Sequence, residues 1–188
     1  MAPGAEPSKW PLEQYREYLL LMARLHMERR LQSKVDASDI VQETLLRAHE
    51  KRDQFRGQSE DELAAWLRQI LANNLKQVCR KYGRQRRDVE FERSLEPSME
   101  SSSAKLEAWL AADLSGPPKK AERNEQVIRL AKALAQLPED QRIVLETRHL
   151  RGESVAAISK SMCRSEQAVA GLLRRGLQGL RQLMVESG

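Results

Sequence analysis

The polar side chains at the start of the last predicted helix are of types that contact nucleic acid. A short helix from about Ser154 to Met162, a tight turn and a longer helix from about Ser165 to Met184 give a helix-turn-helix layout. In this layout the second helix enters the major groove and presents its N-terminal side chains to base edges, while later residues approach phosphates. The predicted base-edge contacts are Arg164, Ser165, Glu166, Gln167 and Gly171, and the predicted phosphate contacts are Arg174 and Arg175. The alternative is a solvated face of an ordinary helical bundle.

Two amides followed by a basic block form a second candidate nucleic-acid surface. Asn73 and Asn74 can each donate hydrogen bonds to base edges and accept them. The block from Lys76 to Arg87 holds six basic residues and no acid, and such cations release counterions from phosphates, which makes binding salt-sensitive. The predicted contacts are Asn73, Asn74, Lys76, Gln77, Arg80, Lys81 and Arg84. A solvated helix end is the alternative interpretation of the block.

The second predicted helix, from Asp36 or Ser38 to Lys51, carries an outward row opposite its apolar stripe. The row contains Asp39, Gln42, Glu43 and Leu46. Spacing shows that these side chains share a face and leaves their role open.

Catalytic and metal chemistry have little support in the sequence. His26, His49 and His149 form no metal-binding pair, and the acids Glu60 to Glu62 suit a helix cap better than acid/base catalysis. We therefore expect no cofactor, no metal and no enzymatic activity. The two distant cysteines form no disulfide framework, and neither a signal peptide nor an apolar run of bilayer length is present. A cytoplasmic protein without membrane insertion is expected.

Composition predicts an all-α protein with a net positive charge. Leu, Ala, Arg, Gln and Glu dominate, aromatic residues make up only 4%, and no segment has the period of a strand. The predicted helices of the first half run from Pro11 to Leu31, from Asp36 or Ser38 to Lys51, and from Ser59 into the basic block. Helices resume at Asn124 to Leu137 and from Pro138 to about Leu150. The formal charge of +5 makes a polyanionic partner plausible.

The pattern divides the chain into two small helical domains joined by a flexible linker. The predicted domains are residues 1–93 and 124–188, and the acidic linker of 94–123 is rich in Ser and Pro, with only a short helix near 104–113. Trp109 is unusual in such a linker. We interpret it as an anchor onto either domain, with a contact to another protein as the alternative.

Four residues of the C-terminal domain depart from the residue preferences of turns and helices. Cys163 stands at a turn position where a left-handed residue, usually Gly, is expected, so mild strain is predicted. Gly171, Gly176 and Gly179 lie inside the last helix, where each costs up to about 1 kcal/mol against Ala. They permit close approach either to DNA or to a neighbouring helix.

Four sequence segments resemble bacterial sigma factors of the extracytoplasmic-function group. Ser38 to Ala48 resembles the family's D-x-x-Q-[DE] helix, and Ala65 to Asn73 resembles its A-W-L-x-x-I-x-x-N segment. Leu137 to Arg142, with Gly152 to Ile158, resembles its L-P-x-x-x-R and G-x-S-x-x-E-I-A signature. The chain departs from the pattern at Ala157, at Cys163 and in Glu62 to Ala65.

The resemblance implies two domains, sigma region 2 and sigma region 4, on a linker that passes through the polymerase. It implies that Asp39, Gln42, Glu43 and Leu46 dock on core RNA polymerase. Asn73, with the loop from Phe55 to Asp61, would recognise and open the promoter −10 element. The last helix would recognise the −35 element. The implied partners are core RNA polymerase and promoter DNA, and an anti-sigma factor remains open.

Two other functions compete with this interpretation. An ordinary helix-turn-helix regulator with a ligand-binding or dimerising first domain would bind DNA without polymerase and would leave the row of Asp39, Gln42 and Glu43 unexplained. A serine recombinase would need a nucleophile and an arginine cluster on a mixed sheet, for which the sequence shows no strand.

Overall fold

The computed structural model describes residues 11–27, 29–82, 85–114 and 123–186, with the side chains of 29, 30, 85–92, 113 and 114 left aside. Within those residues every regular element is helical, which confirms the predicted all-α class. The chain divides into two compact units, one of residues 1–23 and 27–96 and the other of residues 24–26 and 97–188. None of the described helices is both long and apolar enough to span a bilayer.

The first unit is built around α1 (Arg16–His26), α3 (Ala37–Glu50) and α4 (Glu60–Tyr82), with α2 (Arg29–Gln32) as a short turn. Apolar side chains at helical spacing on these helices form its core. Fully or almost fully buried members are Tyr18, Leu19, Met22, Ile40, Val41, Leu63, Leu67, Leu71 and Leu75. The predicted first helix is interrupted at Met27, whose backbone is extended, and the side-chain amide of Gln32 donates to the Met27 carbonyl at 3.1 Å.

Side-chain caps fix where α3 and α4 begin. The Asp36 carboxylate accepts from the Ser38 amide at 2.8 Å, so Asp36 is the cap of α3. Ser59 and Glu62 form the predicted capping box of α4: the Glu62 amide donates to the Ser59 hydroxyl at 3.2 Å, and the Ser59 amide donates to the Glu62 carboxylate at 3.1 Å. The caps fix where both helices begin, and the buried apolar stripe of each helix sets which side chains face outward.

The second unit contains α6 (Arg123–Gln136), α7 (Glu139–Leu145), α8 (Val155–Met162) and α9 (Glu166–Glu186). α7 continues as a π-helical turn, Glu146–Leu150. Val144, Ile158, Val169 and Leu172 form a buried cluster where α7, α8 and α9 meet. The backbones of α7 and α9 approach closely, because a Cβ added at Gly176 would lie 3.0 Å from Leu145 Cδ1. The sequence analysis offered close approach to DNA or to a neighbouring helix as the reason for a glycine here. At Gly176 the structure shows close approach to a neighbouring helix.

Residues 94–114 are helical, so the prediction of an irregular linker is wrong for 94–103, whereas the short helix expected near 104–113 is present as part of a longer one. α5 (Gln85–Trp109) runs through it, with Pro97 inside, and a π-helical turn, Leu110–Leu114, follows. The cause is an apolar stripe at helical spacing, which the serines and the proline obscure in the sequence. Its buried members are Leu95, Met99, Leu106, Trp109 and Leu110. Residues 115–122 of the predicted linker lie outside the described residues.

Trp109 anchors the end of α5 within the second unit. Its ring stacks on that of His149 with centroids 4.3 Å apart and planes only 2° from parallel, and the residue is 4% exposed. The anchor interpretation of this tryptophan agrees with the structure.

Candidate nucleic-acid interface

The helix-turn-helix in the second unit is formed by α8, a tight turn and α9. Ser154 caps α8 by accepting from the Ala157 amide at 3.1 Å, and Ser165 caps α9 by accepting from the Ala168 amide at 3.2 Å. Between them Cys163 adopts the left-handed conformation, with φ 52° and ψ 42°. The sequence therefore predicted the starts of both helices and the strained turn position correctly.

The predicted −35 residues lie together on the exposed side of this motif. Arg164, Ser165, Glu166, Gln167, Arg174 and Arg175 are all exposed. Gly171 is half-buried, and the nearest group to a Cβ added there is the Arg175 guanidinium, at 3.3 Å. The backbone at Gly171 is thus bare except for one flexible side chain, as close approach by a ligand requires.

Arg164 already forms contacts within the protein, through both its side chain and its backbone. Its guanidinium pairs with the Asp140 carboxylate at the start of α7, and its carbonyl accepts from the Ser159 hydroxyl. The pair ties the turn to α7. A phosphate or base contact by Arg164 must share this guanidinium or break the pair.

The face of α4 that was predicted to bind nucleic acid is present, but its members differ in availability. Asn73, Gln77, Arg80 and Lys81 are exposed, and one turn of helix separates Asn73 from Gln77. Lys76 is half-buried and pairs with Glu96 at 2.6 Å, so its charge is partly neutralised. Arg84, also predicted to contact DNA, lies outside the described residues.

Asn74 is the one predicted DNA contact that the structure contradicts. It is 4% exposed and faces α3, where its side-chain NH2 donates to the Thr44 hydroxyl at 2.9 Å. Thr44 in turn donates to the Ile40 carbonyl at 2.7 Å, so it can only accept from Asn74. Asn74 joins α3 to α4 and is out of reach of a base. The stripe of Leu67, Leu71 and Asn74 at helical spacing was the sequence signal for this burial.

The outward row of α3 is exposed, as its spacing predicted. Asp39, Gln42, Glu43 and Leu46 all face solvent, and Leu46 is 53% exposed, which is unusual for a large apolar side chain. An exposed leucine among acids and amides has the composition of a protein-binding surface, in which an apolar centre is ringed by polar groups. The whole row is therefore accessible to a partner.

Sequence reasoning missed Arg47, which links the outward row of α3 to the candidate DNA face of α4. Its Nε donates to Glu43 at 2.7 Å and its Nη2 donates to Gln77 Oε1 at 2.9 Å. The Glu43 and Arg47 spacing of four residues was a visible helix pair. The contact with Gln77 depends on how α3 packs on α4, so no local pattern could predict it.

The loop before α4 is folded back on the helix. The Phe55 ring lies 5.1 Å from that of Trp66, centroid to centroid. A Cβ at Gly57 would stand 2.3 Å from the Phe55 ring, so only glycine fits beside it. The amides of Gln58 and Ser59 donate to Glu62, which holds the pKa of that carboxyl below its ordinary value. The loop that the sequence singled out is thus held against Trp66.

Among the described residues, no group of three His, Cys, Asp or Glu side chains is placed to hold a metal ion. The candidate residues described above offer hydrogen bonds, charge and apolar contact.

Comparisons with known proteins match a region of one protein family in each of the two units. The model of sigma-70 region 2 matches residues 14–85, and that of sigma-70 region 4 matches residues 128–180. The chain is 33% identical over 179 residues to the ECF RNA polymerase sigma factor SigG of Mycobacterium tuberculosis, in strains CDC 1551 and H37Rv. The chain belongs to the sigma-70 family, in its extracytoplasmic-function (ECF) group. The match covers 90% of this chain and 46% of each relative, so the chain spans about half their length.

The family assignment places the described surfaces in named regions. Region 2 includes the α3 row and the α4 face, and region 4 includes α8, the turn and α9 as far as residue 180. Most of α5 and the stacked Trp109 fall between the two matched segments. This helix is therefore a feature of the chain that neither family model describes.

In region 4 the motif residue Arg142 has a structural role. Its Nε lies 3.7 Å from the carboxylate of Glu146, which is 7% exposed. Burial raises the pKa of Glu146, although arginines beside it favour the charged form. The arginine of the L-P-x-x-x-R motif thus compensates a buried acid.

Proposed function

We propose that this chain is a promoter-specificity subunit that binds core RNA polymerase and directs transcription initiation. The observation that carries the proposal is the presence in one chain of region 2, with an exposed docking row, and region 4, with an exposed recognition helix. The chain contributes binding energy and position, while polymerase performs the chemistry. Its place of action is then the cytoplasm, where polymerase and promoter DNA meet.

The docking row of α3 binds core RNA polymerase in this proposal. Leu46 supplies the apolar centre, and Asp39, Gln42 and Glu43 supply polar contacts around it. The acids favour a basic partner surface, because opposite charges steer association.

Region 4 recognises the −35 element through the start of α9. Gln167 is exposed in the first turn, and an amide can bond the edge of an adenine in two places. Arg174 and Arg175 lie two turns further along, where they bind phosphates and fix the register of the helix. The remaining contacts of this set are Arg164, Ser165, Glu166 and the bare backbone at Gly171.

Region 2 recognises the −10 element through the exposed face of α4. Asn73 and Gln77 present amides to bases, and Arg80, Lys81 and Arg84 bind phosphates. Lys76 joins them when it leaves Glu96. Asn74 has no part in this interface.

The docking row can be tested by a double substitution, Asp39→Ala with Gln42→Ala. We expect its affinity for core polymerase, measured by fluorescence anisotropy, to fall about tenfold or more, while its thermal unfolding midpoint stays unchanged because both side chains are exposed. The matched control is Asp53→Ala with Gln54→Ala, which removes the same exposed residue types from the turn after α3. Equal affinities of both variants for core polymerase would refute the docking role.

The −35 contacts can be separated into recognition and positioning. Gln167→Ala should lose about 1–3 kcal/mol of discrimination at one base pair of the −35 element. Arg174→Ala should weaken binding to all promoters alike and lower the dependence of binding on salt. If Gln167→Ala weakened binding equally to all −35 sequences, Gln167 would not recognise a base.

A helix-turn-helix regulator that acts without polymerase gives different results in the same experiments. It would bind its DNA tightly as an isolated chain, and the double substitution in the docking row would have no effect on its function.

A further inference from the structure

Arg47 occupies a position between the two proposed interfaces of region 2. Its guanidinium is held from one side by Glu43 of the docking row, at 2.7 Å, and reaches Gln77 of the −10 face on the other side, at 2.9 Å. The Arg47 side chain is 30% exposed. Neither contact lies within the core. The pair with Glu43 is local to α3, whereas the contact with Gln77 exists only because α3 and α4 are already held together.

The helices are held together independently of Arg47. One turn earlier, Thr44 and Asn74 make their buried hydrogen bond at 2.9 Å, with the same offset of thirty residues that separates Arg47 from Gln77. Apolar side chains on both helices are fully buried around this bond. Removal of Arg47 therefore leaves the packing of α3 on α4 in place.

The contact with Arg47 fixes which end of the Gln77 amide is available. A guanidinium carries only hydrogen-bond donors, so the atom of Gln77 that faces it must be the carbonyl oxygen. The NH2 group of Gln77 is then directed away from Arg47. In the absence of Arg47 the amide can rotate and present either a donor or an acceptor.

A fixed donor distinguishes bases that an amide free to rotate does not. In the major groove G, A and T each present an acceptor, whereas C presents only its N4 donor. A Gln77 that can only donate therefore disfavours C at the position it faces, while a rotating amide accepts from C as well.

We propose that Arg47 is a specificity-determining positioning residue: by holding the Gln77 carbonyl, it makes Gln77 a hydrogen-bond donor that disfavours C at one base pair of the −10 region. The inference rests on the proposed function of the chain and adds a residue that itself touches no base. It also joins the docking row to base recognition, because the same guanidinium is oriented by Glu43.

The test compares single and double variants in the full chain with core RNA polymerase. A promoter library randomised through the −10 region is transcribed, and enrichment of each base is read by sequencing the transcripts. Gln77→Ala first identifies the position that Gln77 faces, by the loss of preference there. Arg47→Met keeps an unbranched side chain, although a shorter one, and removes every donor. Arg16→Met is the matched control, since Arg16 is an exposed arginine that likewise pairs with an acid in its own part of the chain, Glu13, at 3.7 Å.

With wild-type protein, C should be disfavoured about fivefold or more at that position. Arg47→Met should abolish the penalty against C and leave the other preferences unchanged, and Arg16→Met should change none of them. The variant that combines Arg47→Met with Gln77→Ala should behave like Gln77→Ala alone, because Arg47 acts through Gln77.

Three results would overturn the inference. One is an unchanged base profile in Arg47→Met. Another is an Arg47→Met effect that persists in the Gln77→Ala background, which would mean that Arg47 contacts DNA itself. The third is a Gln77→Ala profile identical to wild type. Failure of the wild-type chain to support any promoter-dependent transcription would instead refute the proposed function, so the two failures are distinguishable.

Discussion

At the scale of single residues, the neighbouring asparagines of α4 illustrate how one position along a helix separates structure from recognition. Asn73 is exposed, whereas Asn74 is 4% exposed and bonds Thr44. Residue type and adjacency suggested the same role for both. The rotation of the helix, fixed by its buried leucines, gives them opposite roles.

Asn74→Ala should lower the free energy of unfolding by about 2 kcal/mol, because it removes a buried hydrogen bond and leaves the Thr44 hydroxyl without its donor. Asn73→Ala should change stability by less than about 0.5 kcal/mol but should impair −10 recognition. Chemical denaturation of both variants provides the measurement. Equal destabilisation by the two substitutions would contradict the assignment.

Cys163 is a second residue whose backbone decides its effect. It holds φ at 52° in the turn between α8 and α9, where a side chain is strained and Gly is not. Cys163→Gly should therefore raise stability by about 0.5–1 kcal/mol, whereas Cys163→Ala, which keeps a Cβ, should not. Thermal unfolding of the pair tests this, and a stabilising Cys163→Ala would point to the thiol instead of the backbone.

At the scale of elements, helical spacing and capping signals predicted α3, α4, α8 and α9, because each has a strong apolar stripe and a side-chain cap. α5 was predicted only in part, as a short helix near 104–113, because serines and Pro97 interrupt its stripe. Its buried face becomes visible only when Leu106 and Trp109 are seen against their neighbours. The contact of Arg47 with Gln77 was beyond sequence reasoning for the same reason: it depends on tertiary packing.

The glycines of α9 give a contrast within one helix. Gly176→Ala should destabilise the protein by about 1–3 kcal/mol, since the new methyl would lie 3.0 Å from Leu145. Gly171→Ala should stabilise it by up to about 1 kcal/mol through helix propensity, because only the end of Arg175 is near. Denaturation of both variants checks the sign, and destabilisation by Gly171→Ala would mean that its surroundings are tighter than described.

The capping box of α4 makes a pH-dependent contribution. The amides of Gln58 and Ser59 lower the pKa of Glu62 in the folded state below its ordinary value of 4.5. The stabilisation is therefore fully present above pH 4.5 and is lost as the pH falls through the folded-state pKa. Glu62→Ala should lower the unfolding temperature at pH 7, and its difference from wild type should shrink in acid. A difference that does not depend on pH would exclude the charged cap.

At the scale of the whole molecule, the two regions serve one task only if both act on the same promoter while the chain is bound to polymerase. The docking row on α3 and the recognition helix α9 belong to different compact units. The positive charge of the chain favours DNA generally, so DNA binding alone does not distinguish a sigma factor from a regulator. Dependence of promoter recognition on polymerase does distinguish the two.

Run-off transcription by core RNA polymerase, with and without the purified full chain, tests this claim most directly. We predict that the chain co-elutes with core polymerase and that transcripts of defined length appear only when the chain and a cognate promoter are both present. A chain that fails to co-elute with core polymerase and adds no promoter-dependent transcript would contradict the account.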